Sequence, residues 1–262
     1  MKIKWTLTLL LVFLVSSVSA QSVDEILAKH VEALGGAEKI SAITSLKILG
    51  TVSRGGGRFE MPFTRYWKAP NKYRNESEMR GNKMIQATDG ETAWAVMPFG
   101  RGGRRRGNAG GNTGPQVLEG PRAQSFLGES KIFGLLYGAV ENGYEIEYVG
   151  TEEFEGTEVI KLELLHENGR KIHSYLDAEY FLEIKRETHR SGPDGQSFTA
   201  TTLFSDFKEV NGVMIAHSIT NQAGGGGARR GGGRGFGGGS TQISKIEVNV
   251  EINDALFSMP KK

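Results

Sequence analysis

The sequence predicts a mainly β fold with a few helices: a curved antiparallel sheet of about eleven strands, with an N-terminal helix and a helical lid. Three observations predict it. Short runs such as 59–67 and 144–150 alternate apolar and polar side chains, the period of a strand. Tight-turn pairs punctuate those runs at Asp89-Gly90, Glu155-Gly156, Asn168-Gly169 and Asn211-Gly212. Only two stretches, 22–43 and 116–140, carry their apolar residues at helical spacing.

The first twenty residues read as a secretory leader. Lys2 and Lys4 give a positive start, Leu9 to Val15 form an apolar core, and Val18-x-Ala20 fits a small-residue cleavage site. Cleavage after Ala20 would leave residues 21–262 as a single exported domain, long enough for one substantial core. The alternative is an uncleaved anchor, but the apolar run falls short of the roughly 20 residues a spanning helix needs. The chain holds no cysteine, so it must be stable without disulfides and cannot carry a lipid on a cysteine. A soluble exported protein, not lipid-anchored, is expected.

In chain order, Val23, Ile26, Leu27, His30, Val31 and Leu34 mark an amphipathic helix with Ser22 as its N-cap and Gly35-Gly36 as its stop. A short turn of helix follows over 37–43. Strands are expected at 46–52, 58–67, 72–79, 83–88 and 91–97. Pro62 lies inside the second, which implies an edge or a bulge there. The apolar residues of 116–140, among them Phe126, Phe133, Leu136 and Tyr137, suit one or two lid helices. Strands resume at 144 and run to about 220, and a last one, 241–252, alternates Ile246, Val248, Val250 and Ile252 with polar partners. A large sheet with one apolar face must cover that face or bind something against it.

Net charge is informative only when mapped. Segments 54–58, 100–114 and 223–239 are rich in glycine, contain no acid, and hold nine of the sixteen arginines: Arg54, Arg58, Arg101, Arg104, Arg105, Arg106, Arg229, Arg230 and Arg234. Without them and the leader's two lysines, 21 basic residues face 30 acidic ones, a formal −9. The first two segments fall at one rim of an antiparallel meander; parity does not place the third. Such a rim suits transient contact with an anionic membrane surface or an acidic membrane partner. Solvated insertions without a partner are the bland reading. Nucleic acid is not expected, since export separates the chain from RNA and only Phe236 offers an aromatic in the third tract.

The sequence contains no G-x-x-x-x-G-K-[ST], H-E-x-x-H or G-x-S-x-G motif. His166 and His173 flank the Asn168-Gly169 turn and could share a face, but no neighbouring residues supply further ligands, so no metal and no cofactor is expected. The carboxylates are spread as on a solvated face, and nothing argues for an enzyme.

Several stretches together carry a resemblance to a known family: "VDEILAKHVEALGGAEKISAITSLKILG" (23–50), "MPFTRYWKAPNKYR" (61–74), "GNKMIQATDGETAWAVMPF" (81–99), "YLDAEYFLEIKRE" (175–187), "FSDFKEVNGVMIAHSI" (204–219) and "KIEVNVEINDALFSMP" (245–260). In order and extent these resemble the outer-membrane lipoprotein-sorting, LolA-like family, and most of all its variants typical of the Bacteroidetes envelope. The resemblance implies an unclosed β-barrel whose cavity, capped by helices, holds lipoprotein acyl chains or another lipid in the periplasm. The cavity lining is then expected from Phe59, Met61, Phe63, Trp67, Trp94, Phe126, Phe133, Leu136 and Tyr137. Ordinary core packing is the competing reading of each. Arg65 shares the apolar parity of its strand and is the one basic residue to test there. A monomeric carrier is expected; the alternative is a non-catalytic envelope sensor or scaffold of the same fold, acting through protein partners.

Overall fold

The computed structural model describes residues 22–79, 81–97, 114–120, 123, 126–127, 130–191, 197–222 and 238–260. The leader expected over 1–20 and most of the basic segments 100–114 and 223–239 lie outside these residues.

Helix α1 spans Val23–Ala33 and α2 spans Ala37–Ser41. The Ser22 hydroxyl accepts from the Glu25 backbone N–H, and the Glu25 carboxylate accepts from the Ser22 N–H, closing a capping box. Gly35 and Gly36, at φ of 117° and 91°, separate the two helices in backbone that other residues rarely adopt. A Cβ on Gly35 would stand 2.1 Å from the Gly212 carbonyl oxygen, so glycine there also lets α1 dock against the turn at Asn211-Gly212.

Thirteen strands follow: β1 (Ser45–Arg54), β2 (Phe59–Lys68), β3 (Lys72–Met79), β4 (Asn82–Thr88), β5 (Ala93–Val96), β6 (Gln116–Val117), β7 (Tyr144–Phe154), β8 (Thr157–His166), β9 (Lys171–Asp177), β10 (Glu183–Ser191), β11 (Ser197–Val210), β12 (Val213–Gln222) and β13 (Gly239–Val248). They form one antiparallel sheet in the order β6-β5-β4-β3-β2-β1-β13-β12-β11-β10-β9-β8-β7, which does not close. At Pro62 the ladder from β2 to β3 has not begun, since it starts at Phe63–Ser77, so β2 is locally an edge there.

The strand order dictates the cover. The chain runs outward from β1 to the edge strand β6, then reappears at the opposite edge as β7 and returns to β13 beside β1. The connection 118–143 must therefore cross the sheet, and its apolar residues pack on one face. Among the described residues this cover is less helical than the one or two helices expected over 116–140. Gln116–Val117 is a strand, helical turns occur at Gly120, Ala123 and Phe126–Leu127, and 131–143 is a series of turns and bends. Gly134 and Gly138 sit at φ of 86° and 71°, and glycine inside a helix costs about 1 kcal/mol, so apolar spacing alone could not hold the helix there.

Two apolar clusters fill the inner face. Leu34, Ile40 and Ile43 from the helical region join Leu46, Ile48, Phe63, Trp67, Tyr73, Val213, Ile215 and Ile243. Ile26 joins Leu136, Ala139, Tyr144, Ile160, Leu162, Leu164, Ile172 and Leu176 on the other wall. The exposed edge β7 is guarded by Glu145, Glu147, Glu152 and Glu153 and by a register shift between Tyr148 and Gly150, which discourages pairing with other chains.

A second layer covers the opposite, outer face of β1–β5. After β13 the tail crosses it: Lys68 Nζ donates to the Ile252 carbonyl at 3.0 Å, Arg74 to the Leu256 carbonyl at 2.6 Å, and Trp94 Nε1 to the Phe257 carbonyl at 2.8 Å. Lys68 and Lys72 clasp Asp254 and hold its carboxyl down at about 2. Among the described residues no helix is long and apolar enough to cross a membrane.

Candidate ligand-binding face

Register assigns each expected lining residue to a face, because residues opposite one another in a ladder point the same way. Leu46, Trp67, Tyr73, Thr88 and Ala93 form one inward row, and Ile48, Arg65, Asn75, Gln86 and Ala95 the next. Met61, Phe63 and Trp67 are buried on this inner face. Gly50 lies opposite Phe63, and a Cβ there would meet the Phe63 ring at 2.6 Å, so the ring lies over bare backbone.

The crossing segment brings Phe126, Phe133 and Tyr137 onto that wall. Trp67 and Phe133 meet edge to face at 5.4 Å, Phe133 and Tyr137 at 6.2 Å, and Tyr73 and Phe126 stand 5.3 Å apart. Leu136 packs on the opposite wall with Ile160, Leu162 and Leu164. Phe59 stands at the rim, 46% exposed, beside the 54–58 turn.

Trp94 corrects the expected lining. It pairs with Ala87, which continues through Arg74 and Tyr66 to Lys47, the outward row. Its indole is fully buried, but beneath the tail at Phe257 and not on the inner wall. An isolated Trp in a short strand does not reveal which face is covered. Tyr73, fully buried on the inner wall, was missed for the same reason: its strand is otherwise polar.

One polar patch interrupts the apolar wall. The Arg65 guanidinium stacks over Phe63 at 4.2 Å, and its buried Nε has no hydrogen-bond partner. Asn75, directly opposite on β3, leaves its buried Oδ1 without one. Buried polar atoms are normally paired, so this neighbouring donor and acceptor mark a place where a ligand's polar group can be received.

On the far wall a fully paired polar group lies under α1. Glu183 accepts from the Ser174 hydroxyl at 2.7 Å and is gripped by the Arg186 guanidinium. His30 is buried beside them and donates from Nδ1 to the Phe181 carbonyl at 2.7 Å. Burial pushes its pKa down, partly opposed by the Phe181 carbonyl and Glu183.

Two open clefts lie away from the inner face. One, about 410 Å³, is bounded by Lys47, Tyr66 and the tail at 250–256. The other, about 390 Å³, lies at the β7–β8 turn.

The basic segments share a rim as far as they are described. Arg54 and Arg58, both exposed, flank the β1–β2 turn. Arg54 pairs with Gly239 at the start of β13, so the third segment re-enters the sheet beside the first. Strand β5 runs parallel to β1 and leaves the sheet toward the same rim at Val96. Arg101, Arg104, Arg105, Arg106, Arg229, Arg230 and Arg234 lie outside the described residues.

An unclosed antiparallel sheet with an apolar concave face, crossed by one irregular segment, is the architecture of LolA-like proteins. Solved structures share it: a LolA superfamily protein from Nitrosomonas europaea (14% identity, 91% of this chain and 98% of that one, TM-score 0.57), a DUF1329 family protein from Desulfovibrio piger (11%, 90% and 97%, TM-score 0.57), and a domain assigned to outer membrane lipoprotein sorting from Vibrio parahaemolyticus (13%, 89% and 94%, TM-score 0.54). These likenesses establish the fold and do not single out its Bacteroidetes variants. The sequence matches no protein-family model and no curated protein.

Proposed function

We propose that this chain is an exported, soluble periplasmic carrier, which holds the acyl chains of a lipoprotein or another lipid against its inner face during transfer to the outer membrane. The observation that carries this reading is the nature of the cover. The apolar wall at Phe63, Trp67 and Tyr73 is closed by Phe126 from a short helical stretch and by Phe133 and Tyr137 from the turns of 131–143. Such a plug can be exchanged for a hydrocarbon chain. Each methylene removed from water stabilises the complex by about 0.8 kcal/mol, repaying the aromatic contacts that open. Arg65 and Asn75 supply a polar foothold within the wall. The role is non-catalytic and monomeric. The basic rim at Arg54 and Arg58, continued by the other two arginine tracts, serves transient docking to an anionic membrane surface or to donor and acceptor complexes.

The test is displacement of a fluorescent fatty acid, with native mass spectrometry of the protein purified from the envelope. A carrier gives reversible saturation at about one acyl ligand per chain. No saturable binding, with a stable protein partner recovered instead, would favour a sensor or scaffold of the same fold. That second reading draws on one fact: Trp67, Phe133 and Tyr137 already occupy part of the wall with the protein's own rings.

A further inference from the structure

Away from the inner face, the densest set of metal-ligating side chains among the described residues lies on the outer face of β8–β10. Glu163, His173 and Glu187 stand in one row across three strands, since Glu163 pairs with His173 and His173 with Glu187. His189 follows two residues along β10, on the same face. His173 Nδ1 and His189 Nε2 face each other at 2.9 Å. One ligating atom from each of His173, His189 and Glu187 falls within 4.8 Å of the others. Imidazole and carboxylate donors bind zinc at about 2.0–2.2 Å, which spaces them about 3–3.5 Å apart, so the two nitrogens already stand near that separation.

The partners behind these donors distinguish the cluster from a simple histidine pair. The Glu163 carboxylate accepts from His173 Nε2 at 2.9 Å, leaving Nδ1 as the ligating atom, and is itself held by Lys171 at 2.7 Å. The Thr199 hydroxyl bonds His189 Nδ1 at 3.1 Å, leaving Nε2. Glu187 is steadied by the Tyr175 hydroxyl at 2.7 Å and Lys185 at 2.9 Å, and each of its oxygens keeps a further lone pair. Ligating histidines characteristically carry such an outer carboxylate or hydroxyl, which fixes tautomer and ring orientation. The side chains of His173 and Glu187 keep 16% and 21% exposure, so an ion can enter from solvent.

We infer that His173, His189 and Glu187 form a site for a divalent transition-metal ion of the zinc class, with Glu163 and Thr199 orienting the two imidazoles. Nitrogen and carboxylate donors of this kind suit zinc over magnesium or calcium. Solvent completes the coordination shell. The site stands on the opposite face of the sheet from the acyl-binding wall and does not depend on that function.

The test is calorimetric titration of tag-free protein with zinc chloride in chelator-stripped buffer, repeated with cobalt(II) for its visible absorption. One ion per chain is expected, with Kd in the range of about 1 µM. Glu163→Gln should weaken binding about tenfold or more, and His173→Gln or His189→Gln about a hundredfold. His166→Gln, on the inner face, should leave the isotherm unchanged. Thermal unfolding in chelator checks that every variant is folded. A folded wild-type protein with no one-to-one isotherm up to about 100 µM zinc overturns the site. So does an isotherm unchanged in the His173→Gln/His189→Gln double variant.

Discussion

Trp67 on β2 and Phe133 in the sheet-crossing segment meet edge to face, their ring planes at 84° and their centroids 5.4 Å apart. The contact joins a regular strand to the turns of the crossing segment. Aromatic pairs of this geometry contribute about 0.5–1.5 kcal/mol beyond burial, enough to bias the cover closed and little enough to be reversed by a ligand.

Phe133→Ala should therefore act in opposite directions on stability and on binding. Urea unfolding is expected to show a loss of about 1–3 kcal/mol, less than for a fully buried Phe because Phe133 is only partly buried. Affinity for a fluorescent fatty acid should rise about threefold or more, as the competing ring is gone. Unchanged or weaker acyl binding would count against the exchangeable plug.

Trp94 gives the complementary control. Trp94→Phe removes the bond to the Phe257 carbonyl and should cost about 1–2 kcal/mol in the same unfolding experiment. Acyl affinity should not change, because this indole lies under the tail on the outer face.

Gly50→Ala tests the inner wall at its closest approach. The new Cβ would stand 2.3 Å from the Gln242 carbonyl oxygen and 2.6 Å from the Phe63 ring. The carbonyl belongs to the β13 ladder and cannot swing aside, so a loss of about 2–3 kcal/mol is expected on chemical denaturation.

The buried His30 predicts an acid-sensitive fold. Its pKa is lowered on folding, so the unfolded chain binds the proton more readily, and stability is full above about pH 6.5 and declines as pH falls below it. Denaturation midpoints measured from pH 7.5 down to 5 should fall, and His30→Gln should flatten that decline. An equal slope in the variant would place the sensitivity elsewhere.

Replacing the nine arginines of the basic segments with serine should abolish most binding to vesicles of anionic lipid at low salt, as read by co-sedimentation. The residual binding should then lose its dependence on ionic strength.

Much of the fold was readable residue by residue. Ser22 announced the start of α1, Gly35-Gly36 its end, and 72–79 was delimited as β3 by its flanking turns. Asn211-Gly212 forms the expected hairpin with φ of 53° and 80°. The last strand was drawn too long: 249–252 leaves the sheet to begin the outer layer, although its alternation continues. His166 and His173, which by their spacing could share a face, lie on opposite faces. Leu165 pairs with Lys171 and Glu163 with His173, so the longer turn reverses the parity. The partner of His173 proved to be His189, from a strand whose register with β9 carries a shift that no local pattern reveals.

The sequence by itself determined the elements, since caps, turn residues and period-two alternation act between near neighbours along the chain. It likewise carried the charge separation between the arginine segments and the acidic body. Tertiary structure alone decided which face each element buries. Burial of Trp94 beneath Phe257, the meeting of Trp67 with Phe133, and the grouping of His173, His189 and Glu187 all depend on cross-strand register and on where the tail and crossing segment lie. Those are long-range contacts, fixed by the free energy of the whole sheet and its two covers, and a shift of one residue in a ladder would turn the side chains of the slipped strand to the other side.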